Sequence, residues 1–122
     1  MDRPVSSSAI SNGRTAHIYK GYASGICSHA EGNLTRASGH SSHAEGSFTI
    51  ASGDDSHSEG YTTIAASDYQ HVQGKYNIED SGNKYAHIVG NGISDTSRSN
   101  AHTLDWNGNA WFAGNIYVGG TG

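Results

Sequence analysis

Residues 25–80 consist of four consecutive blocks of fourteen residues: GICSHAEGNLTRAS, GHSSHAEGSFTIAS, GDDSHSEGYTTIAA and SDYQHVQGKYNIED. We number the positions of each block from 1 to 14 and call the equivalent residues of all blocks a column. A short, fixed period is typical of solenoid proteins, in which each repeat forms one coil that stacks on the previous coil. Column 5 is always histidine and column 8 is always glycine; they contain His29, His43, His57 and His71, and Gly32, Gly46, Gly60 and Gly74.

Each block has the length of two short strands and two tight turns. In the second block, residues 42–45 form one run that can be extended, and Gly46 ends it. Residues 48–51 form a second run, which Ser52 and Gly53 end. Glycine adopts positive φ without steric cost, so it recurs where a chain turns sharply. Stacked coils would pair as parallel strands about 4.8 Å apart. The sequence therefore predicts an all-β fold, a parallel β-solenoid of 14-residue coils.

The faces of the predicted strands differ in side-chain size. Because alternate side chains of a strand point in opposite directions, His43 and Glu45 should share one face and Ala44 the other. We expect the small columns to line a narrow interior, and the larger columns to meet neighbouring subunits. The small side chains of columns 6 and 13 are Ala30, Ala44 and Ser58, and Ala37, Ala51 and Ala65.

The periodicity divides the chain into three parts. Residues 1–21 show no period and are predicted to be a partly disordered lead-in. Residues 22–92 form the repeat region, which starts with half a coil and ends with a modified fifth coil that contains His87 and Gly90. Residues 93–122 form a separate C-terminal segment.

The C-terminal segment is rich in aromatic residues. Asn107-Gly108 lies between the apolar runs 104–106 and 110–113, a strong signal for a β-hairpin. Residues 115–118 are predicted to form one more strand. We expect the hairpin to cap the open end of the solenoid, where strand edges would otherwise be exposed, and to lock several chains together. The predicted residues of this cap and trimer core are Trp106, Trp111, Phe112 and Tyr117.

Composition excludes several classes of function. The net charge is −4 and basic residues do not cluster, so we expect no nucleic-acid partner. No apolar run approaches 18 residues, so we expect no membrane insertion. Cys27 is the single cysteine, so no intrachain disulfide can form. Only 34% of the residues are hydrophobic, and such a thin core suggests stabilisation by partner chains.

The histidine column is the main candidate for chemistry. We interpret it as a structural column in which each imidazole hydrogen-bonds a neighbouring glutamate or a carbonyl. The alternative is metal binding by His29, His43, His57 and His71, with three imidazoles of one rung meeting around a threefold axis. Because a catalytic site usually interrupts a repeat, and this column obeys it, we predict no enzyme and no cofactor. Tyr61 and Tyr69, at expected turns, are the candidates for binding to a surface.

Residues 28–39, SHAEGNLTRASG, resemble the head repeat of YadA-like trimeric autotransporter adhesins, which also has a period of fourteen. The resemblance extends over about residues 22–92. It implies a left-handed parallel β-roll with three chains per head. The departure lies in columns 5 and 7, where histidine and glutamate replace the valine and isoleucine of the adhesins.

Residues 85–92, YAHIVGNG, and 100–114, NAHTLDWNGNAWFAG, look like segments of phage and prophage tail appendage proteins from Gram-positive hosts. This resemblance implies a homotrimeric segment of a tail fibre or tail spike in the virion, which provides structure and contacts a glycan or protein receptor on the host surface. One alternative is a bacterial surface adhesin head that binds host matrix or glycans. A second is the non-catalytic part of a polysaccharide-cleaving tail spike.

Overall fold

The computed structural model describes residues 9–11, 14–17 and 21–120, with side chains from residue 21 onward. All regular elements in these ranges are β-strands, in one nine-stranded and one four-stranded sheet. Within the described ranges no helix is long and apolar enough to cross a membrane. The strands are β1 (Ala9–Ser11), β2 (Arg14–His17), β3 (Tyr22–Ala23), β4 (His29–Asn33), β5 (Arg36–Ala37), β6 (His43–Ser47), β7 (Ile50–Ala51), β8 (His57–Ser58), β9 (Ile64–Ala65), β10 (His71–Lys75), β11 (Tyr85–Asn91), β12 (Asn100–Asp105) and β13 (Ala110–Phe112).

Two sets of parallel strands stack along the molecule. Strands β2, β4, β6, β8, β10 and β11 follow one another in the large sheet, and β3, β5, β7 and β9 form the small sheet. His29 pairs with His43, and His43 pairs with His57, so the register advances by one block of the sequence at each step. The predicted all-β solenoid is therefore confirmed, with about five coils.

Alanine lines the interior between the two sheets. Ala30 and Ala44 of column 6, and Ala37, Ala51 and Ala65 of column 13, are completely buried. Larger apolar side chains enter the interior only toward the C-terminal end, at Val72 and Ile88. The predicted alanine interior is confirmed.

Short polar side chains fill the rest of the interior. The Ser42 hydroxyl donates to the Gly39 carbonyl at 2.7 Å, and the Thr49 hydroxyl donates to the Glu45 carbonyl at 2.9 Å. Most of these buried hydroxyls are tolerated because they bond a nearby carbonyl of their own coil, whereas the Thr35 hydroxyl has no partner among the described residues. The buried residues of columns 4 and 11 are Ser28, Ser42, Ser56 and Gln70, and Thr35, Thr49, Thr63 and Asn77.

Glycine recurs in columns 1 and 8 for two separate reasons. Gly46 has a φ of 102°, and a Cβ built there would lie 2.2 Å from the carbonyl oxygen of Gly60 in the next coil. Column 8 has the expected positive φ, but the predicted end of the strand at Gly46 is wrong, because β6 continues to Ser47. Gly39, in column 1, does not have a positive φ, but a Cβ there would lie 2.0 Å from the Gly53 carbonyl oxygen. In the first three blocks, column 1 is therefore glycine because the next coil approaches closely, whereas the fourth block has Ser67 there.

Residues other than glycine form the remaining corners of each coil. Column 3 and column 10 lie seven positions apart, and both adopt the left-handed conformation in every block. Phe48, for example, has a φ of 58°, so the second strand of its coil contains only Ile50–Ala51. The predicted extended run over residues 48–51 was too long, because a closed coil needs a corner on each side. The corner residues are Cys27, Ser41, Asp55 and Tyr69, and Leu34, Phe48, Thr62 and Tyr76.

The fifth coil carries a two-residue insertion. His71 pairs with His87, sixteen residues later, and Gly74 pairs with Gly90, so the modified fifth coil is confirmed. The loop before β11 is organised by Asp80. Its Oδ2 accepts hydrogen bonds from the backbone N–H groups of Lys84 and Tyr85, both at 2.9 Å.

After β11 the chain reverses direction. Strand β12 is antiparallel to β11, with two irregularities in register, and β13 is antiparallel to β12. The Asp105 carboxylate accepts the backbone N–H groups of Asn107 and Asn109 at 2.9 Å and so holds the turn between β12 and β13. The backbone N–H of Asn109 is the main cause of the lowered pKa of Asp105.

The predicted strand over residues 115–118 is wrong. Residues 115–118 have no regular structure, and Ile116, Tyr117 and Val118 are 62%, 76% and 92% exposed. A strand needs a hydrogen-bonded neighbour, and no described segment lies beside these residues.

The parallel strands of the large sheet begin before the predicted start of the repeat region. In β2, Thr15 pairs with His29 and Ala16 pairs with Ala30, in the same fourteen-residue register. Residues 14–17 therefore occupy the place of a first strand, although the lead-in was expected to lack the period. The expected partial disorder falls mainly on residues 1–8, 12–13 and 18–20, which lie outside the described residues.

Candidate functional site

The stacked strands bring the column 5 histidines together as one row. The rings of His43 and His57 lie 4.6 Å apart with an interplanar angle of 1°, and those of His57 and His71 lie 4.8 Å apart at 8°. The ring of His29 is 4.7 Å from that of His43 but is turned by 68°. These distances match the spacing of neighbouring strands, so the row follows directly from the register.

Glutamates of column 7 lie between successive histidines. His43 Nε2 is 3.3 Å from Glu31 Oε1 and 3.2 Å from Glu45 Oε1. His57 Nε2 is 3.3 Å from both Glu45 Oε1 and Glu59 Oε1. We call the seven residues of this alternating array the His-Glu column: His29, Glu31, His43, Glu45, His57, Glu59 and His71.

The His-Glu column is accessible in the single chain, since its side chains are between 33% and 47% exposed. Partial burial lowers the pKa of His57, and the imidazoles of His43 and His71 lower it further, although Glu45 and Glu59 act in the opposite direction. His57 therefore favours its neutral form. The expected hydrogen bonding between histidine and glutamate is present along the whole array.

The first glutamate of the array favours its charged form. Burial raises the pKa of Glu31, but hydrogen bonds and charge interactions with His43 and His29 outweigh burial, so the pKa is lowered.

The row of rings continues past the four repeats. His87 lies 5.3 Å from His71, His102 lies 5.6 Å from His87, and Phe112 stacks on His102 at 4.4 Å. Burial, followed by His71 and His102, lowers the pKa of His87. The place of His102 was not predicted, because it lies on the antiparallel strand β12 and outside the fourteen-residue spacing.

The candidate surface-binding tyrosines lie in separate surroundings. Tyr61 is 46% exposed, and its ring has edge contacts with Phe48 and Tyr76. Tyr69 is 62% exposed at a left-handed corner, as its predicted turn position requires, and its ring meets Trp106 edge-on at 6.5 Å. The structure does not bring these two tyrosines together into one site.

The predicted cap residues are exposed in the single chain. Trp106, Trp111, Phe112 and Tyr117 are 49%, 53%, 43% and 76% exposed. Trp111 also lines an open groove of about 460 Å³ with Tyr85 and Asp105. These residues form no core within one chain, and their burial between chains stays a prediction.

Comparison with protein-family models, with curated proteins and with solved structures finds no match for this chain. Its assignment therefore rests on the repeat, the geometry and the resemblances drawn from its motifs.

Proposed function

We propose that this chain is a non-enzymatic segment of a phage or prophage tail fibre or spike, which assembles as a homotrimer and contacts the host surface. The observation that carries the proposal is an inverted distribution of side chains. The interior holds mainly alanine, serine and threonine, with Val72 and Ile88 as its larger apolar residues, whereas most large apolar side chains lie outside.

Large apolar residues are costly to leave in water, and an extended exposed set of them marks an interaction surface. The coils expose Ile26, Phe48 and Ile78, and the C-terminal segment exposes Ile93 and Val118 in addition to its tryptophans. Assembly of several identical chains would cover these side chains and stiffen a rod whose own core is thin. The number three and the left-handed coil follow from the resemblance to YadA-like heads.

A rod of stacked coils is suited to displaying a contact surface at a distance. Corner residues of each coil, such as Tyr69, project from it and are the proposed contacts with a glycan or protein receptor. Three chains would present each contact three times, which raises a weak affinity for a repetitive cell surface.

The first test is the mass in solution. Light scattering should give three times the 12.8 kDa of one chain, and electron microscopy should show short rods. A compact monomer at micromolar concentration would contradict the proposal.

The second test is binding of the fluorescently labelled protein to intact Gram-positive cells. Tyr61→Ser and Tyr69→Ser should weaken binding without changing the mass, since Ser47 and Ser41 occupy these positions in the second block. Cys27→Ser is the matched control, because Cys27 occupies the same column as Tyr69 in a different coil. Binding to animal matrix proteins and not to bacteria would favour an adhesin head. Release of reducing sugar ends from wall glycans would disprove the non-enzymatic assignment.

A further inference from the structure

In the His-Glu column, two carboxylate oxygens lie near a histidine nitrogen that can donate at most one hydrogen. His43 Nε2 faces Glu31 and Glu45, and His57 Nε2 faces Glu45 and Glu59, at 3.2–3.3 Å. An imidazole nitrogen carries at most one hydrogen, whether the ring is neutral or charged. That hydrogen can point directly at only one carboxylate. At each of these two rungs, the second carboxylate oxygen therefore lies close to a nitrogen that has no second hydrogen to donate.

A cation held between an imidazole lone pair and a carboxylate oxygen needs no hydrogen at that contact. The array contains three groups of His-Glu-His in which the three ligand atoms lie within 4.8 Å of one another. The nitrogen–oxygen separations are 3.1–3.3 Å. Two ligands of a tetrahedral ion with bonds of about 2.0–2.1 Å lie about 3.3–3.4 Å apart. The ligand types and the nitrogen–oxygen separations thus fit a metal site, and binding would draw the two imidazole nitrogens, which lie within 4.8 Å of each other, toward the ion.

We propose that the His-Glu column binds divalent transition-metal ions of the zinc class, each held by two histidines of successive coils and the glutamate between them. Imidazole with one carboxylate is a donor set that zinc, nickel and copper accept, whereas magnesium and calcium require more oxygen ligands. Since the ligands are 33–47% exposed, the fourth position opens to water. The site is complete within one chain, so it does not depend on the proposed function or on a threefold axis.

The shared ligands set the number of ions. The first group is His29, Glu31 and His43, and the third is His57, Glu59 and His71. These two groups have no residue in common, whereas the middle group borrows one histidine from each. Because each Nε2 has one lone pair, the column holds two ions per chain when saturated, and Glu45 then binds neither.

The array ends where glutamine takes the place of glutamate in column 7. In the next coil Gln73 stands in column 7, with its amide oxygen 3.4 Å from His87 Nε2. A neutral amide is a much weaker ligand than a carboxylate for such ions, so His71, Gln73 and His87 provide an internal control with the same backbone geometry.

Zinc binding to the metal-free full chain tests the proposal. Native mass spectrometry and titration calorimetry with Zn²⁺ alone should give two ions per chain, and Co²⁺ in its place should give a visible spectrum of nitrogen and oxygen coordination. Glu31→Gln and Glu59→Gln should each lose one ion, and the double variant should retain a single ion in the middle group. Glu45→Gln should keep two ions.

The controls separate this arrangement from general binding to histidine. His40 is exposed and outside the column, so His40→Ala should bind two ions like the parent. Equal losses from all three glutamate variants, or loss of an ion from His40→Ala, would overturn the proposal. Circular dichroism of each metal-free variant checks its fold. If a variant does not fold, the stoichiometry of the parent protein decides: two ions support the proposal, and none or one rejects it.

Discussion

The coils of residues 25–92 and the C-terminal segment of residues 93–120 differ in how tightly their residues pack. Each coil repeats one register, buries its small columns completely and leaves no room for a further methyl group at Gly46 or Gly39. The C-terminal segment has irregular antiparallel pairing and exposed tryptophans, and a Cβ at Gly108 would meet no atom within 4 Å. The backbone packing of the coils is therefore specified within one chain, whereas the C-terminal segment leaves its aromatic side chains exposed.

The largest expected effect comes from adding one methyl group to each region. Gly46→Ala combines a φ of 102° with a backbone atom at 2.2 Å, and should lower the free energy of unfolding by about 4 kcal/mol or more. Gly108→Ala has a φ of 88° but open space, and should cost about 1 kcal/mol. Urea unfolding at one fixed protein concentration measures both. Equal losses would show that the coils are not as closely stacked as described.

Two phenylalanines with the same exposure sharpen the comparison. Phe48 and Phe112 are both 43% exposed, the first on a coil and the second in the proposed cap. Phe112→Ala should weaken association of the chains about tenfold or more, as truncation of a central interface aromatic does. Phe48→Ala should have a smaller effect, because Phe48 lies on a coil, outside the proposed cap. Sedimentation over a range of concentrations measures the association, and a stronger effect at Phe48 would place the main contact on the coils.

A smaller effect concerns two threonines of column 11. Thr49→Val removes the hydrogen bond to the Glu45 carbonyl and should cost about 1 kcal/mol. The Thr35 hydroxyl is buried without a hydrogen-bond partner among the described residues, so Thr35→Val should be neutral or slightly stabilising. Unfolding free energies of the two variants measure the difference. Equal costs would mean that Thr35 also has a partner in solution.

The gentlest perturbation is pH, measured with a metal chelator present. The lowered pKa of His57 and of His87 means that the unfolded chain binds protons more readily than the folded chain. Their contribution is complete above the unfolded value of about 6.5 and is lost as pH falls below it. Glu31, whose pKa is also lowered, adds a loss in the same direction at lower pH.

Thermal unfolding at a series of pH values checks this sign. Stability should decrease on acidification, and His57→Gln should flatten the curve near pH 6–7. His40→Gln, outside the column, should leave the curve unchanged. A stability that rises on acidification through this range would contradict the lowered pKa values.

Much of the fold could be predicted because it depends on period and size. The recurrence of histidine and glycine every fourteen residues, as at His43 and Gly46, predicted the stacked coils. The small residue Ala44 indicated which face of the strand lies inside. The corner at Phe48 was not predicted, and Tyr69 was placed at a turn without its positive φ, because bulky side chains rarely adopt positive φ without a closed coil that requires it. The strand at residues 14–17 was also missed, since its signal reduces to one alanine in register.

The site was predicted as a row of histidines paired with glutamates, but its ligand groups were not. The sequence places His43 and Glu45 on one strand face, yet the distance between Glu31 and His43 depends on how closely coils stack. For the same reason the continuation of the row through His102 was missed, because the reversal at β12 follows no period.

The stacking of equivalent residues at one strand spacing per coil is tested most directly by distances along column 3. Cys27 is exposed, and a spin label there can be paired with a label at Ser41→Cys, Asp55→Cys or Tyr69→Cys, in assemblies diluted with unlabelled chain. With coils about 4.8 Å apart, the Cα separations should rise in even steps to about 5, 10 and 14 Å. Separations that do not rise in this order, or a nearest pair that shows no dipolar interaction, would contradict the stacked solenoid.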